Sequence, residues 1–258
     1  MIKFHKYQGT GNDFIIIDNR ENIFDKSNNS LIENLCDRRF GIGADGLILL
    51  EMKNNLPQMV YYNSDGKPSS MCGNGGRCFA AFCKEFDLVT NNEMTFEAVD
   101  GKHEVLYEPQ KIKLKMNDVP AIKPIGSDFE LNTGSPHYIV FEQHIDDINI
   151  IERARQIRYN NTYKEAGINV NFVEPIDTGI FVRTYERGVE DETYSCGTGV
   201  TAAALAYHHT HIMSLGNYIV DVKTKGGLLA VSFNFDKEYN NIWLIGPAVF
   251  VYEGEIVL

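Results

Sequence analysis

Hydrophobic positions along the chain fall mostly into short runs bounded by Gly, Asn, Asp or Pro. Phe14–Asp18, Leu47–Leu50, Met59–Tyr62 and His103–Tyr107 are such runs, as are Val170–Val173, Ile180–Tyr185, Tyr218–Val222 and Leu228–Phe233. Rich in β-branched and aromatic residues and short for a helix, they predict strands. Two segments read differently. Gly75–Phe86 carries Phe79, Ala80, Phe82, Cys83 and Phe86, leaving a narrow polar face; Gly199–His209 carries Ala202, Ala203, Ala204, Leu205 and Ala206, leaving almost none. Helices apolar on most sides are buried helices, so each is expected to be wrapped by a sheet. Weaker helical patterns cover Ser30–Arg39 and Ile148–Arg158, and a last strand is expected at Ala248–Tyr252.

The pattern occurs twice. Tyr62–Gly66 leading to Met71-Cys72-Gly73-Asn74-Gly75 matches Tyr185–Gly188 leading to Ser195-Cys196-Gly197-Thr198-Gly199, with the cysteines 124 positions apart (196 − 72). Upstream, Thr10-Gly11-Asn12 before Phe14–Ile17 matches Thr133-Gly134-Ser135 before Tyr138–Phe141, at an offset of 123 (134 − 11). Downstream, the turn dipeptides Asp100-Gly101 and Gly226-Gly227 separate apolar runs in both halves. Three correspondences in one register predict a duplicated domain. The expected fold is α/β in the α+β sense: two pseudo-symmetric domains, each a mostly antiparallel sheet rolled around a central helix. The halves are expected at residues 1–117, with 248–258 returning to this half, and at 118–247, with the seam near Asn117–Pro120.

Composition narrows the function classes. A chain of 258 residues, 43% hydrophobic and 23% charged, matches a globular protein of two ordinary domains. Its formal net charge of −11 works against a nucleic-acid partner, which needs clustered Lys and Arg. Met1–Lys6 passes into polar Gln8-Gly9-Thr10 before an apolar stretch can form, which argues against a secretion signal. No apolar run approaches the roughly 20 residues of a membrane span. Five cysteines without a C-x-x-C pair resemble no disulfide framework, so a cytoplasmic location is expected.

The chemistry concentrates at Cys72 and Cys196, each placed just before a helix with a Gly-rich first turn. Backbone N–H groups and the positive end of the dipole collect there. Both favour thiolate over thiol, and the same N–H groups suit a carboxylate. Two related domains closing on each other would set the two sulfurs on opposite sides of one carbon. One thiolate then removes an α-proton, the opposite thiol returns one, and configuration inverts, as general acid–base catalysis without an electron-sink cofactor. Cys36, Cys78 and Cys83 lack this context and read as buried structural residues.

The chain resembles the diaminopimelate epimerase family. The resemblance rests on Gly9–Phe14, Arg39–Gly46, Asn63–Gly66, Cys72–Cys78, Pro136-His137, Gly167–Val170, Glu186–Gly188 and Cys196–Gly199, in family order and spacing. It implies interconversion of LL- and meso-diaminopimelate in lysine and cell-wall precursor synthesis, with no pyridoxal phosphate and no metal. It also implies Cys72 and Cys196 as the two bases, Cys72 serving the L face. Asn12 and Asn74 would hold the reacting end, and backbone N–H groups of Gly73, Asn74, Gly197 and Thr198 its carboxylate. Asn63, Asn169, Glu186 and Arg187 would read the distal amino-acid end, where a zwitterion needs a guanidinium and oxygen acceptors. His137 would support the site, and the family suggests a homodimer. Two positions depart from common family patterns: Gly46 stands where many members carry Gln, and Ser135 where many carry Asn. Val189-Glu190-Asp191 looks like an insertion at the rim.

Other signals are weaker. Gly41–Gly46 satisfies G-x-G-x-x-G, but a helical pattern precedes it and a strand pattern follows, the reverse of a dinucleotide fingerprint. His208-His209-Thr210-His211 lacks a Cys or carboxylate partner for a metal, and histidines near a helix C-terminus suit the dipole. The rival functions are a proline or hydroxyproline racemase-like enzyme, against which the polar distal set argues, and a non-catalytic amino-acid-binding protein, against which the paired cysteines argue.

Overall fold

The computed structural model describes residues 1–69 and 71–257. In chain order its first elements are β1 (Ile2–Gly9), β2 (Asn12–Asp18), α1 (Asn29–Cys36), β3 (Gly46–Lys53), β4 (Leu56–Asn63), α2 (Gly73–Glu85), β5 (Glu93–Ala98), β6 (Gly101–Glu108) and β7 (Lys111–Lys115). Then come β8 (Lys123–Ile125), β9 (Asp128–Asn132), β10 (Pro136–Phe141), α3 (Ile150–Arg158), β11 (Asn169–Ile176), β12 (Gly179–Glu186) and β13 (Asp191–Thr193). The last are α4 (Gly197–His211), β14 (Gly216–Thr224), β15 (Gly227–Phe235), β16 (Tyr239–Gly246) and β17 (Val249–Ile256). Two compact units divide the chain: Met1–Leu114 with the segment from Gly246 onward, and Lys115–Ile245.

In the first unit β17, β1 and β2 pair antiparallel, β2 and β3 parallel, and β3 and β4 antiparallel. β4 meets β5 in parallel, and β5, β6 and β7 form an antiparallel meander. In the second unit β8, β9 and β10 pair antiparallel, β10 and β11 parallel, β11 and β12 antiparallel. β12 meets β14 in parallel, β14, β15 and β16 form an antiparallel meander, and the short β13 adds to β12. The pairing sense is the same step for step, which is the structural signature of the duplication.

α2 packs on β1 to β4 and β17, and α4 on β9 to β12, β14 and β15. All of α2 from Gly73 to Cys83 is buried except Ala81, and so is most of α4 as far as His208. The strands beneath are covered on both sides. Phe14 and Ile48 face α2, where their ring and methyl carbons come near Gly75. Ile15, Ile17, Leu47 and Leu49 face away, into a core with Ile32, Leu35 and Cys36 of α1. α3 does the same in the second unit, with Ile150 and Ala154 against Val170, Phe172 and Tyr185. Double-sided burial explains why β2 and β3 read as continuous apolar runs rather than alternating ones.

Several expectations need adjustment. α2 and α4 begin at Gly73 and Gly197, two residues before the expected starts, because the low helix propensity of Gly hides the first turn. α1 ends at Cys36; Arg38 and Arg39 belong to the turn in which Ile42 N and Gly43 N donate to Leu35 O. That turn is the G-x-G-x-x-G stretch, lying between α1 and β3. A Cβ on Gly41 would stand 2.0 Å from Asn34 O, so the close backbone approach requires glycine there. His208, expected near the helix C-terminus to suit the dipole, is fully buried: its Nδ1 lies 3.0 Å from the Tyr239 hydroxyl, and burial lowers its pKa. No helix among the described residues is long and apolar enough to cross a membrane.

Candidate active site

In each unit the strands deliver polar residues to the N-terminus of the enclosed helix. Cys72 and Cys196 are the N-cap residues of α2 and α4, with matching extended backbones: φ −106, ψ 129 at Cys72 and φ −118, ψ 114 at Cys196. Gly76 N donates to Cys72 O at 2.7 Å and Val200 N to Cys196 O at 2.8 Å. The three N–H groups between each cysteine and those bonds have no acceptor in their own helix. Neither cysteine side chain caps its helix.

Around Cys72 the orientation of each amide is dictated by a partner of one sign. Asn12 Nδ2 donates to Asp45 Oδ2 at 2.7 Å; a carboxylate only accepts, so Asn12 Oδ1 turns toward the site. There it accepts from Asn74 Nδ2 at 3.4 Å and from the Cys72 thiol at 3.6 Å. Asn74 is fixed in turn by Arg77, whose Nη2 donates to Asn74 Oδ1 at 3.0 Å; a guanidinium only donates. Asp45 is held by Arg38 at 2.7 Å, which also binds Asp13, and Asp13 meets Lys6 at 2.8 Å. Burial pushes Asp13 up, but the hydrogen bonds from Arg38 and Lys6 outweigh it and keep its carboxyl below the ordinary range.

The Cys196 network has a different source. His137 is fully buried, and burial drives its pKa down to about 3, with the Arg187 guanidinium adding to the effect and the Asn171 hydrogen bond opposing it. The ring is therefore neutral. Asn171 Nδ2 donates to Tyr138 O at 3.3 Å and faces His137 Nδ1 at 3.0 Å, so Nδ1 accepts and the proton sits on Nε2. Nε2 lies 2.9 Å from Thr198 Oγ1 and donates to it, leaving the Thr198 hydroxyl hydrogen for Cys196 Sγ at 3.4 Å. Thr133 Oγ1 holds the Thr198 carbonyl at 2.8 Å.

Asn169 joins the same unit's remaining polar residues. Its Nδ2 donates to Ser135 Oγ at 2.8 Å and to Pro136 O at 3.1 Å, and its Oδ1 accepts from Arg187 N at 2.8 Å. Arg187 Nη1 donates to Ala166 O at 3.0 Å, and its stem lies over Gly167, where a Cβ would stand 2.4 Å from Arg187 Cδ. Gly167 also has φ +74, so this close approach and the backbone both require glycine. Glu186 ends β12 opposite Asp191 of β13. Glu190 accepts from Arg158 at 2.9 Å and from Tyr159 at 2.8 Å, which ties the insertion-like turn to α3 and the residue after it.

Of the residues singled out in the sequence, Asn12, Cys72, Gly73 and Asn74 gather in the first unit. Asn63 stands exposed at the end of β4, opposite Gly46 of β3. His137, Asn169, Arg187, Cys196, Gly197 and Thr198 gather in the second. The departure at Gly46 has a steric cause, since a Cβ there would lie 2.5 Å from Tyr61 Cε2 and 2.5 Å from Tyr62 O. The Tyr61 ring fills the space a side chain at 46 would use. At Ser135 the shorter residue still provides the acceptor that holds Asn169. Sequence reasoning missed Asn171, Thr133, Asp45, Arg77 and Tyr61. Asn171 carried a signal, being a polar residue inside the apolar run Val170–Val173. Burial pushes the other cysteines Cys36 and Cys78 up to about 12 and raises Cys83 as well.

Comparisons with known proteins agree with one another. The family model for diaminopimelate epimerase matches residues 4–121 and 129–251. A diaminopimelate epimerase of Flavobacterium psychrophilum is 50% identical over 259 residues, covering 99% of this chain and 100% of the relative. One from a Hydrogenobaculum species is 37% identical and covers 96% of each. Among solved structures, a Bacillus anthracis phenazine biosynthesis protein of the PhzF family superposes with TM-score 0.80 at 15% identity, covering 100% of this chain and 99% of that one. A probable proline racemase from Agrobacterium radiobacter gives TM-score 0.71 at 13% identity, covering 100% and 93%. At such identities the structural likeness bears on the fold.

Proposed function

The chain belongs to the diaminopimelate epimerase family, and from that premise we propose that it interconverts LL- and meso-diaminopimelate by a two-base mechanism. Inversion at an α-carbon needs a base on one face and an acid on the other. Each unit supplies one thiol, Cys72 from the first and Cys196 from the second. The observation that carries this reading is the matched pair of cysteine N-caps, alike in backbone geometry and each heading a buried helix. With LL substrate, the Cys72 thiolate takes the α-proton and the Cys196 thiol delivers a proton to the opposite face. The reverse direction exchanges the roles.

As the proton leaves, negative charge moves into the substrate carboxylate. The backbone N–H groups of Gly73, Asn74, Gly197 and Thr198, aimed from helix N-termini, stabilise it. Asn12 and Asn74 orient the reacting end, while Asn63, Asn169, Glu186 and Arg187 read the distal one. His137 acts through Thr198, keeping the hydroxyl hydrogen directed at Cys196. The reaction so described uses no electron-sink cofactor and no metal, and serves lysine and cell-wall precursor synthesis in the cytoplasm. Val249, Phe250, Val251 and Tyr252 of β17 are exposed, which supports a homodimer through that strand; sedimentation as a monomer at micromolar concentration would refute it.

The mechanism is tested by incubating the enzyme with LL-diaminopimelate in deuterium oxide beside Cys72→Ser and Cys196→Ser. Wild type should place deuterium at the α-carbon of the meso product, and both variants should lose epimerisation by several orders of magnitude. Full turnover by either variant refutes the two-thiol scheme. Turnover of proline in place of diaminopimelate would refute the substrate assignment.

A further inference from the structure

Arg77 lies on α2 five residues after Cys72 and is fully buried. Its side chain runs back toward the helix N-terminus, as helical side chains do. The guanidinium therefore lies against the first turn. Nη1 donates to Gly73 O at 3.2 Å, Nη2 to Asn74 Oδ1 at 3.0 Å and Thr10 Oγ1 at 3.4 Å, and Nε to Pro247 O at 3.4 Å. All four acceptors are neutral, and no ion pair among the described residues includes Arg77.

An arginine stays protonated throughout the working range of an enzyme, and a buried charge without a counter-charge is strongly unfavourable. Its cost is tolerated where an anion forms beside it. Two thiols flank Arg77 on the chain side. Cys78 is fully buried and stays a neutral thiol, since burial pushes it up to about 12. Cys72 is half-buried and heads the helix against whose first turn the guanidinium lies. The carboxylates joined to Cys72 through Asn12 are already engaged, Asp45 with Arg38 and Asp13 with Arg38 and Lys6. In the second unit the position matching Arg77 is neutral. Thr201, five residues after Cys196, donates to Gly197 O at 3.0 Å and so repeats the Arg77–Gly73 hydrogen bond with a neutral group.

We propose that Arg77 is a positioning residue that locks the Asn74 amide and provides the fixed positive charge against which the Cys72 thiolate forms. The charge stands on the helix that Cys72 heads, while the matching position on the helix that Cys196 heads is neutral. The proposal rests on Cys72 being one of the two bases, but its test needs no turnover.

The measurement is the pH dependence of iodoacetamide alkylation, resolved by peptide mass spectrometry. Cys72 is followed in a Cys196→Ser background and Cys196 in a Cys72→Ser background. Arg77→Met should raise the Cys72 midpoint by about one to two pH units, a roughly 10- to 100-fold loss of thiolate at neutral pH. It should leave the Cys196 midpoint where it was. Arg77→Lys, which keeps the charge, should hold most of the shift. An unmoved Cys72 midpoint in Arg77→Met overturns the proposal, as does an equal rise at Cys196, which would mark general loosening. Should Arg77→Met fail to fold, the Arg77-intact enzyme still decides. Its Cys72 midpoint must lie below the ordinary thiol value of about 8.5, and a midpoint at or above that value overturns the proposal. Loss of the two-base reading would appear instead as full turnover by Cys72→Ser.

Discussion

Replacing Gly199 by alanine would ordinarily be expected to stabilise a helix, by up to about 1 kcal/mol. In α4 the opposite is expected. A Cβ at 199 would stand 2.4 Å from Asn171 Oδ1 and 3.3 Å from His137 Cε1. Ordinary contact begins near 3.4 Å, so the Asn171 amide must retreat by about 1 Å. That amide is fully buried and held at three points, by Thr184 Oγ1 at 2.9 Å, His137 Nδ1 at 3.0 Å and Tyr138 O at 3.3 Å. Overpacking of this kind costs about 1–3 kcal/mol, and each buried group left unpaired costs about as much again. Set against the propensity gain, Gly199→Ala should lose about 1–3 kcal/mol, lowering Tm by roughly 2–10 °C. The displaced Asn171 also frees the His137 ring, so kcat/KM should fall at least about tenfold.

The duplication supplies the control. Gly75 occupies the matching position in α2, where a Cβ would meet Met59 Cε at 3.2 Å, Ile48 Cδ1 at 3.4 Å and Phe14 Cε1 at 3.4 Å. These are side-chain carbons at or within a few tenths of an ångström of ordinary contact, so Gly75→Ala should stay within about 1 kcal/mol of wild type. Thermal unfolding and steady-state kinetics on the two variants decide the matter. A Gly199→Ala enzyme as stable and active as wild type, or a Gly75→Ala enzyme damaged to the same degree, would refute the steric argument.

Gly46→Gln should be destabilised by about 1–3 kcal/mol, because Tyr61 and the Tyr62 carbonyl occupy the space; denaturant midpoints read this, and an unchanged midpoint would show that the ring yields freely. Ser135→Ala leaves Asn169 Nδ2 only the Pro136 carbonyl, so KM should rise several-fold with kcat little changed; an equal fall in kcat at constant KM would contradict a positioning role for Asn169. His137 gives a pH signature. Its folded pKa of about 3 lies below the unfolded value of 6.5, so the unfolded chain binds the extra proton and stability falls as pH drops from about 6.5 toward 3. At pH 5 the loss is about 2 kcal/mol relative to pH 8, and His137→Gln should flatten that part of the urea-midpoint profile; a profile as steep as wild type would assign the acid sensitivity to other groups.

Much of this architecture was legible because burial writes itself into short apolar runs. Phe14–Ile17 and Leu47–Leu50 stand out since α1 and α2 cover both their faces. β1 was hidden because His5 and Lys6 interrupt its apolar pattern, yet both are buried, Lys6 through its pairing with Asp13 and its bond to the Gly43 carbonyl. β5 was also passed over, its apolar positions alternating with polar ones, and so was β16, although Ile242–Ile245 is a continuous apolar run. The cysteines could be found because a repeated Cys-Gly-x-Gly is rare. Asn171 and Arg77 could not, since an amide or guanidinium acting through a neighbour has no spacing rule. Their meaning lies in which atom faces which partner, and that is settled only when strands from distant parts of the chain align.

A cysteine that fails to cap its own helix leaves a debt in stability. Ser, Thr, Asp or Asn at such a position would satisfy a backbone donor and strengthen each unit by about 0.5–2 kcal/mol, and the chain forgoes that gain twice, at Cys72 and Cys196. Selection for thermal robustness alone would drive both sites toward serine, against the proposed two-thiol chemistry. The serine variants should therefore be sturdier than wild type, and a melting curve run beside the isotope experiment would separate lost chemistry from lost structure.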